Sequence, residues 1–473
     1  MCIICVSTVT AISLLAPSET TIQAPVKMQN QTMVVVNEKN IQKNKFTNKT
    51  CSKSDLNKVN KNTICLKNGK VYRWAIKPNL PITKNKVIES DTVIISATGL
   101  IESSPTNQLS ADVEICKIKE NNSNRSSMQN ALPTGFPSVN FVQKTGTVKW
   151  ALIPLDFSDL PGEANFRSRI DDQMKLTSEW FETVSEGKFK VEWVVADKWV
   201  RLPNPSNDYK IDRSDNLDRA PNGLKLWNDA MTQSDKVFDF TGVQTVNFIL
   251  PKGQDFITET SQGFPWDAAV KNLVTNEGSV SSFSIPGKFM DQLGRQYWSY
   301  WVHEFGHAMA LPHIGSSREP NPYMGLDIMS NQDGESKELS GWMRFVAGWL
   351  PDERVYCQEL RNLNNTKVTL VPLNELNNGI KMVVIPVSGT KAVIIESRRE
   401  NKFSCQMPSK RNGVFIYTYD STLSHGENFL KPITPQGRGI ENSSTCPVVP
   451  YPNSIFYKGQ KIDIEGITIK VVG

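Results

Sequence analysis

Residues 303–313 read HEFGHAMALPH, and this short stretch indicates which side chains the surrounding fold has to position. It contains three of the four histidines in a chain of 473 residues. The residues just before it, QYWSYWV at 296–302, repeat large apolar side chains with helical spacing, so a helix is expected to enter the stretch. His303 and His307 are four residues apart and therefore project from one face of that helix. The spacing brings two imidazoles within reach of one metal ion.

The motif H-E-x-x-H also supplies a candidate catalytic base. Glu304 is rotated about the helix axis from His303, so it is placed to reach a water molecule beside the ion rather than the ion itself. Zinc is the usual occupant of such a site, held by three protein ligands and open at the fourth position. We therefore expect one catalytic zinc, with Glu304 as the general base of a hydrolysis.

His313 is the candidate third ligand. Pro312 disfavours helical geometry at Leu311, so the helix is expected to end there and let the chain return to the metal. The resulting spacing, H-E-x-x-H-x-x-x-x-x-H, is the metzincin pattern, which normally has glycine where this chain has Ala310. A left-handed turn at alanine costs about 1 kcal/mol or more, so either this strain is tolerated or the turn differs.

The second part of that pattern is a turn containing methionine beneath the metal. GLDIMSN at 325–331 places Met329 as the supporting residue of such a turn. Tyr323, between His313 and Met329, is a candidate transition-state donor, and the alternative is that it simply packs. An isolated H-E-x-x-H also arises by chance, but the third histidine, the helix-ending proline and the methionine turn coincide here. Nothing similar supports His425, which we interpret as a surface-loop histidine.

The pattern of elements predicts an α+β protein with several domains. VKWALIPLDF at 148–157 has the composition of a buried strand, and helical and strand patterns then alternate up to the metal motif. We expect a zincin-like catalytic domain with a mixed sheet and an active-site helix over 146–355. Short strands separated by turn residues follow, which predicts a β-sandwich over 356–473.

The N-terminal part divides into three expected segments. The apolar, almost uncharged residues at the start predict a signal peptide within 1–24, with Ala16 and Ala24 as alternative cleavage sites. Residues 25–50 are rich in Asn, Lys and Gln and are expected to form a linker. Residues 51–145 are expected to form a small β-rich region, with a hairpin signal at Asn68-Gly69, and this region is a candidate pro-segment.

Composition narrows the class of protein. A net charge of +5 over this length is too diffuse to indicate nucleic-acid binding, and no other stretch approaches the length of a membrane span. We expect a secreted, soluble monomer that acts on proteins or peptides. Structural calcium stays open as a second cofactor, although no clear carboxylate loop indicates it. Without the two cysteines of the leader, six remain and allow 15 pairings, of which Cys51 with Cys65 is the simplest; the six are Cys51, Cys65, Cys116, Cys357, Cys405 and Cys446.

The chain resembles the immune inhibitor A-like family of secreted bacterial metallopeptidases. The likeness covers about 148–473 and is carried by WALIPLDFSDLPG (150–162), WFETVSEGKFKVEWVV (180–195), LSGWMRFVAGWL (339–350), IPVSGTKAVIIESRRE (385–400) and NGVFIYTYD (412–420). The resemblance implies a secreted zinc endopeptidase with an N-terminal pro-segment. Members of the family carry aspartate at the third ligand position, where this chain has His313.

Two other classes of function stay open. One is a surface adhesion or scaffold protein whose protease domain is secondary or inactive, although a scaffold would have no need of Glu304. The other is a metallohydrolase that cleaves a bond other than a peptide bond. A cysteine switch, with Cys116 on the zinc, is an alternative to a disulfide at that residue.

Overall fold

The structure is a computed structural model. It describes residues 46–50, 52, 59–60, 63–68, 71–76, 90–100, 104–121, 132–211, 221–258, 261–267, 270–292, 294–315, 325–334, 336–399, 401–403, 412–436, 440–442, 450–452 and 454–473. The chain forms two compact units, Met1–Val87 and Ile88–Gly473. The expected signal peptide lies outside the described residues.

The first unit contains one antiparallel sheet of four strands in the order β1-β4-β3-β2. Its strands are β1 (Phe46–Thr50), β2 (Val59–Asn60), β3 (Thr63–Asn68) and β4 (Val71–Ile76). The predicted hairpin is present, because Asn68 at the end of β3 pairs with Val71 at the start of β4. The expected linker over 25–50 ends before residue 50, because the last residues of that range form β1, which pairs with β4. Cys51 lies outside the described residues, so its pairing with Cys65 stays a prediction.

The second unit has helices α1 (Arg167–Val184), α2 (Pro221–Ser234), α3 (Tyr297–Ala308) and α4 (Gly341–Val346) in its described part. Short 3-10 helices cover Val113–Cys116, Ser206–Tyr209, Val270–Asn272, Lys288–Asp291, Asp352–Arg354 and Leu360–Asn362. The strands up to the metal motif are β5 (Asp91–Ala97), β6 (Gly146–Asp156), β7 (Phe189–Val195), β8 (Val200–Arg201), β9 (Val243–Ile249), β10 (Ser261–Gly263), β11 (Val274–Thr275), β12 (Gly278–Ser279) and β13 (Ser282–Ile285). The later strands are β14 (Val355–Cys357), β15 (Thr366–Leu370), β16 (Met382–Pro386), β17 (Lys391–Arg398), β18 (Gly413–Asp420), β19 (Leu430–Pro432), β20 (Ile440–Asn442), β21 (Pro450–Pro452), β22 (Ile455–Phe456), β23 (Lys461–Ile464) and β24 (Ile467–Val471).

The metal motif's helix, α3, lies on a mixed sheet. The strand order of this sheet is β10-β13-β9-β6-β7, and β8 pairs with β6. All neighbours in it are parallel except β10, which runs antiparallel to β13. Strand β6 is buried on both faces, because Trp150 and Leu152 join the core that contains α1 and α3, while Ala151 and Ile153 join the core that contains α2. Helices on both faces explain why this strand is a nearly continuous apolar run rather than an alternating one.

The later strands form two sheets that share a core, as expected for a β-sandwich. One sheet has the order β14-β16-β17-β18-β19, with β22 paired to β18, and the other has the order β15-β5-β24-β23. Alternate residues of β16 pack on different sides: Val383 and Ile385 face the core between the two sheets, whereas Met382 and Val384 join the core of α1 and α3. The larger sheet therefore packs against the metal-motif region as well as against its partner sheet.

The expected boundary at residue 145 is wrong, because strand β5 lies inside the sandwich. It pairs with β15 on one side and β24 on the other. A disulfide also joins Cys116 to Cys357 at the end of β14. The second unit thus begins at Ile88, and removing residues up to 145 would take an internal strand out of the sheet. The disulfide also excludes a cysteine switch at Cys116 in this state.

No helix in the described part of the chain is both long enough and apolar enough to cross a membrane.

Candidate metal centre

Helix α3 presents the first two histidines from within the core. Every residue from Tyr297 to Ala308 is buried, and Trp298, Tyr300 and Trp301 surround the helix with apolar surface. A helix that is apolar on all sides is stable only inside a core. The polar side chains His303, Glu304 and His307 are therefore held among buried apolar side chains.

The three predicted ligands converge on one point. The Nε2 atoms of His303 and His307 are 3.2 Å apart, and the Nε2 atom of His313 lies 3.0 Å and 2.9 Å from them. They are the one group of metal-binding side chains identified within the described ranges. Two nitrogens bound to a tetrahedral zinc at about 2.0–2.1 Å would lie roughly 3.3 Å apart, so the observed separations fit with small outward shifts.

The ring protons of two ligands are fixed by backbone carbonyls. His303 donates its Nδ1 proton to the carbonyl oxygen of Ile328 at 2.7 Å, and His307 donates its Nδ1 proton to that of Leu311 at 2.8 Å. A carbonyl oxygen can only accept a hydrogen bond, so both neutral rings carry their proton on Nδ1 and their Nε2 atoms are unprotonated. Two bare lone pairs then face each other at 3.2 Å, an arrangement that repels unless a cation lies between them.

Burial keeps these imidazoles neutral and able to bind a metal. Burial lowers the pKa of His303 to about 4. The hydrogen bond to the carbonyl of Ile328 raises this pKa, but by less than burial lowers it. Burial, together with the neighbouring imidazoles, holds the pKa of His307 well below its usual range. The pKa of His313 is also lowered well below that range, again chiefly by burial. Neutral imidazole is the form that binds a metal.

Helix α3 ends in a left-handed turn at Ala310, with φ of +70°. The amide of Leu311 donates to the carbonyl of Gly306 at 2.9 Å, and that of Ala310 donates to His307 at 2.7 Å. This is the Schellman arrangement, normally formed by glycine at the left-handed position. The turn therefore has the shape expected with glycine, and the fold tolerates the backbone strain of alanine at this position. It directs residues 311–313 back towards the helix.

The predicted methionine turn lies directly beneath the metal motif. A Cβ atom added to Gly306 would lie 2.5 Å from the Sδ atom of Met329, so the methionine packs against the helix between the two histidines. The adjacent carbonyl of Ile328 holds His303, and the carbonyl of Met329 accepts from the amide of Ile314. Asp327 accepts from the amide of Met329 at 2.8 Å and closes the turn. The turn thus supports both the helix and the segment of the third ligand.

The other predicted site residues have different outcomes. Glu304 is 7% exposed and lies on α3 between the two histidines, as the motif requires. Its role as general base stays a prediction. Tyr323 lies outside the described residues.

The interpretation of His425 as a surface-loop histidine is wrong. Its Nδ1 atom accepts a hydrogen bond from the backbone amide of His313 at 3.0 Å. The two rings are stacked with centroids 5.0 Å apart. No local sequence pattern indicates this contact, because 112 residues separate the two positions. Only the scarcity of histidine, with all four now found at one site, could have suggested it.

An aromatic row extends from the site. The ring of Phe264, just after β10, lies 5.7 Å from His307 and stacks on Trp266 at 5.0 Å. Phe141 in turn lies 5.4 Å from Trp266. These rings form one apolar wall that reaches the three histidines at His307.

Comparisons with known proteins do not assign a family. No family model matches the chain, and no curated protein is similar to it. Among solved structures, a crystal form of wild-type OgpA from Akkermansia muciniphila is 13% identical, with a TM-score of 0.26, and the match covers 59% of this chain and 86% of that one. A second crystal form of OgpA is 12% identical, also with a TM-score of 0.26, and the match covers 63% and 88%. The resemblance to the immune inhibitor A-like family stays a prediction.

Proposed function

We propose that this protein is a zinc-dependent endopeptidase. The observation that carries the proposal is the convergence of three Nε2 atoms within 2.9–3.2 Å of one another, two of them with their ring protons tied to backbone carbonyls. Three neutral imidazoles form a ligand set that suits zinc and leaves a fourth position open. His303, His307 and His313 would hold the ion.

The chain's own residues supply the rest of the chemistry. When bound, zinc would act as a Lewis acid that polarises a carbonyl and lowers the pKa of water. Glu304 would take a proton from the attacking water and deliver it to the amine that leaves. The buried surroundings of α3 exclude bulk water, which strengthens each electrostatic interaction at the site.

Two features near the ligands favour a peptide substrate. Among the described strands, β10 lies at the end of the mixed sheet, and Phe264 next to it contacts His307. Extended peptides commonly bind along sheet edges through main-chain hydrogen bonds. The wall formed by Phe264, Trp266 and Phe141 would favour an apolar side chain near the cleaved bond.

The test measures zinc content and casein cleavage in the same preparations. Glu304→Gln keeps the size of the side chain but removes the base, so we expect zinc to be retained and cleavage to fall roughly 10²–10⁴-fold. Glu192→Gln, on the exposed side of β7, is the matched control and should cleave normally. Chelation should abolish cleavage, and added zinc should restore it.

Two outcomes would contradict the proposal. Equal cleavage by Glu304→Gln and wild type would exclude Glu304 as the base. A protein that binds zinc but cleaves neither casein nor gelatin would instead support the scaffold alternative.

A further inference from the structure

The loop between β18 and β19 contacts the third ligand from the side of the sandwich. The amide of His313 donates to His425 Nδ1 at 3.0 Å, and the amide of Gly426 donates to the carbonyl of His313 at 3.2 Å. A third bond follows two residues later, where the amide of Gly315 donates to the carbonyl of Glu427 at 3.2 Å. Both backbone polar groups of His313 are therefore bonded to consecutive residues of one loop.

His313 needs such support more than the other two ligands do. His303 and His307 lie on a buried helix, and a carbonyl fixes the Nδ1 atom of each ring. Within the described ranges, the ring of His313 has no corresponding carbonyl at Nδ1. It also lies beyond the end of α3, in irregular backbone. Its position is therefore set by backbone contacts and by the rings that pack against it.

The tautomer of His425 follows from its bond to His313. A backbone amide only donates, so the Nδ1 atom of His425 is unprotonated and the neutral ring carries its proton on Nε2. The His425 ring packs on that of His313 with an interplanar angle of 24°. The side chain of Glu427 accepts from the amide of Ser424 at 2.6 Å, which stabilises the loop that carries His425.

We propose that His425 is the positioning residue for the third metal ligand, acting through the hydrogen bond from the His313 amide. The sandwich then determines the metal affinity of a site whose ligands all lie outside it. Outer residues that orient ligands typically change metal affinity by roughly 10–100-fold when they are removed. This inference rests on the metal site alone and does not require peptidase activity.

Two substitutions separate the hydrogen bond from the ring packing. His425→Phe keeps an aromatic ring against His313 but removes the acceptor. His425→Asn removes the ring but can place its carboxamide oxygen near the position of Nδ1. Thr422→Ala is the matched control, because Thr422 is an exposed residue of the same loop and its hydroxyl donates to Asp420, at the end of β18, at 2.6 Å.

The measurement is the zinc dissociation constant of the metal-free, full-length protein, determined by competition with a chromogenic chelator. We expect His425→Phe to raise the dissociation constant about 10–100-fold, and His425→Asn and Thr422→Ala to stay within about threefold of wild type. Urea unfolding of each metal-free variant verifies that the fold is intact. If His425→Phe does not fold, His425→Asn decides: weakening of 10-fold or more overturns the proposal.

Other results would also overturn the inference. An unchanged zinc affinity in His425→Phe would show that the hydrogen bond does not matter, and loss in His425→Asn alone would assign the effect to the ring. Wild-type protein that binds zinc but cleaves no peptide would refute the proposed function and leave this inference standing.

Discussion

The left-handed backbone at Ala310 leads to a prediction about stability. It can be tested by replacing alanine with glycine at this helix end and glycine with alanine at another. Ala310 has φ of +70° and is 3% exposed. Helix α4 ends in the same arrangement, but there the left-handed residue is Gly348, with φ of +80°. Its amide donates to Phe345, and the amide of Trp349 donates to Arg344. One chain therefore contains the same helix end with alanine and with glycine.

Three terms determine the effect of Ala310→Gly. Relief of the left-handed strain stabilises the fold by about 1–2 kcal/mol. Loss of one buried methyl group costs about 0.8 kcal/mol. The greater freedom of glycine in the unfolded chain costs a further 0.4–1 kcal/mol or so. These terms nearly cancel, so we expect the free energy of unfolding to change by less than about 1 kcal/mol.

Two control substitutions isolate the strain. Ala347 is 4% exposed and has an ordinary helical φ of −68°, so Ala347→Gly loses the methyl group without relieving strain. It should cost about 1–2 kcal/mol. Gly348→Ala places its Cβ in open space and gains no burial, so it should cost about 1 kcal/mol from strain.

The assay is urea unfolding of the metal-free protein with its disulfide intact, comparing midpoints at constant slope. If Ala310→Gly destabilises the protein as much as Ala347→Gly does, the strain assigned to Ala310 is absent. A neutral Gly348→Ala would lead to the same conclusion.

The remaining predictions concern packing, the disulfide and one buried lysine. Gly306→Ala would place a methyl group against Met329, an overpacking cost of about 1–3 kcal/mol that a gain in helix propensity of about 1 kcal/mol partly offsets, so we expect a net loss of up to about 2 kcal/mol in urea unfolding. The same substitution should cost less in a protein that already carries Met329→Ala, and an equal effect in both backgrounds would contradict the packing described. Reduction of Cys116–Cys357, which are separated by 241 residues, should lower the free energy of unfolding by up to about 5 kcal/mol in the chain-entropy estimate, and equal stability with and without reductant would refute this. Burial lowers the pKa of Lys144 to about 8, so between pH 8 and about 10.5 the unfolded chain binds more protons at this residue and stability should rise with pH. Lys144→Met should lack this contribution, up to roughly 3 kcal/mol across that range, and a parallel pH dependence in wild type and variant would show that the lysine is not responsible.

The sequence predicted that His303, His307 and His313 come together, because the geometry that brings them together is local. Helical spacing places His303 and His307 on one face of α3, and the proline after Leu311 explains why the chain leaves the helix. The buried face of α1 is also a local feature, because Ile170, Met174 and the other buried residues of this helix recur at helical spacing. These features depend on residues within one or two turns of each other.

Features that depend on distant contacts could not be predicted. The placement of β5 between β15 and β24 requires pairing between strands that are more than 250 residues apart. The sequence of a short β-prone segment does not indicate which strand it will pair with. The contact between His425 and His313 has the same origin. The disulfide between Cys116 and Cys357 was one of 15 pairings that the sequence left open.

The most direct test of the central claim is a crystal structure of the zinc-reconstituted protein with anomalous diffraction recorded at the zinc absorption edge. We expect one strong peak about 2.0–2.1 Å from the Nε2 atoms of His303, His307 and His313. A peak elsewhere, or none in a protein saturated with zinc, would contradict the assignment of these three histidines as the ligands of a catalytic metal.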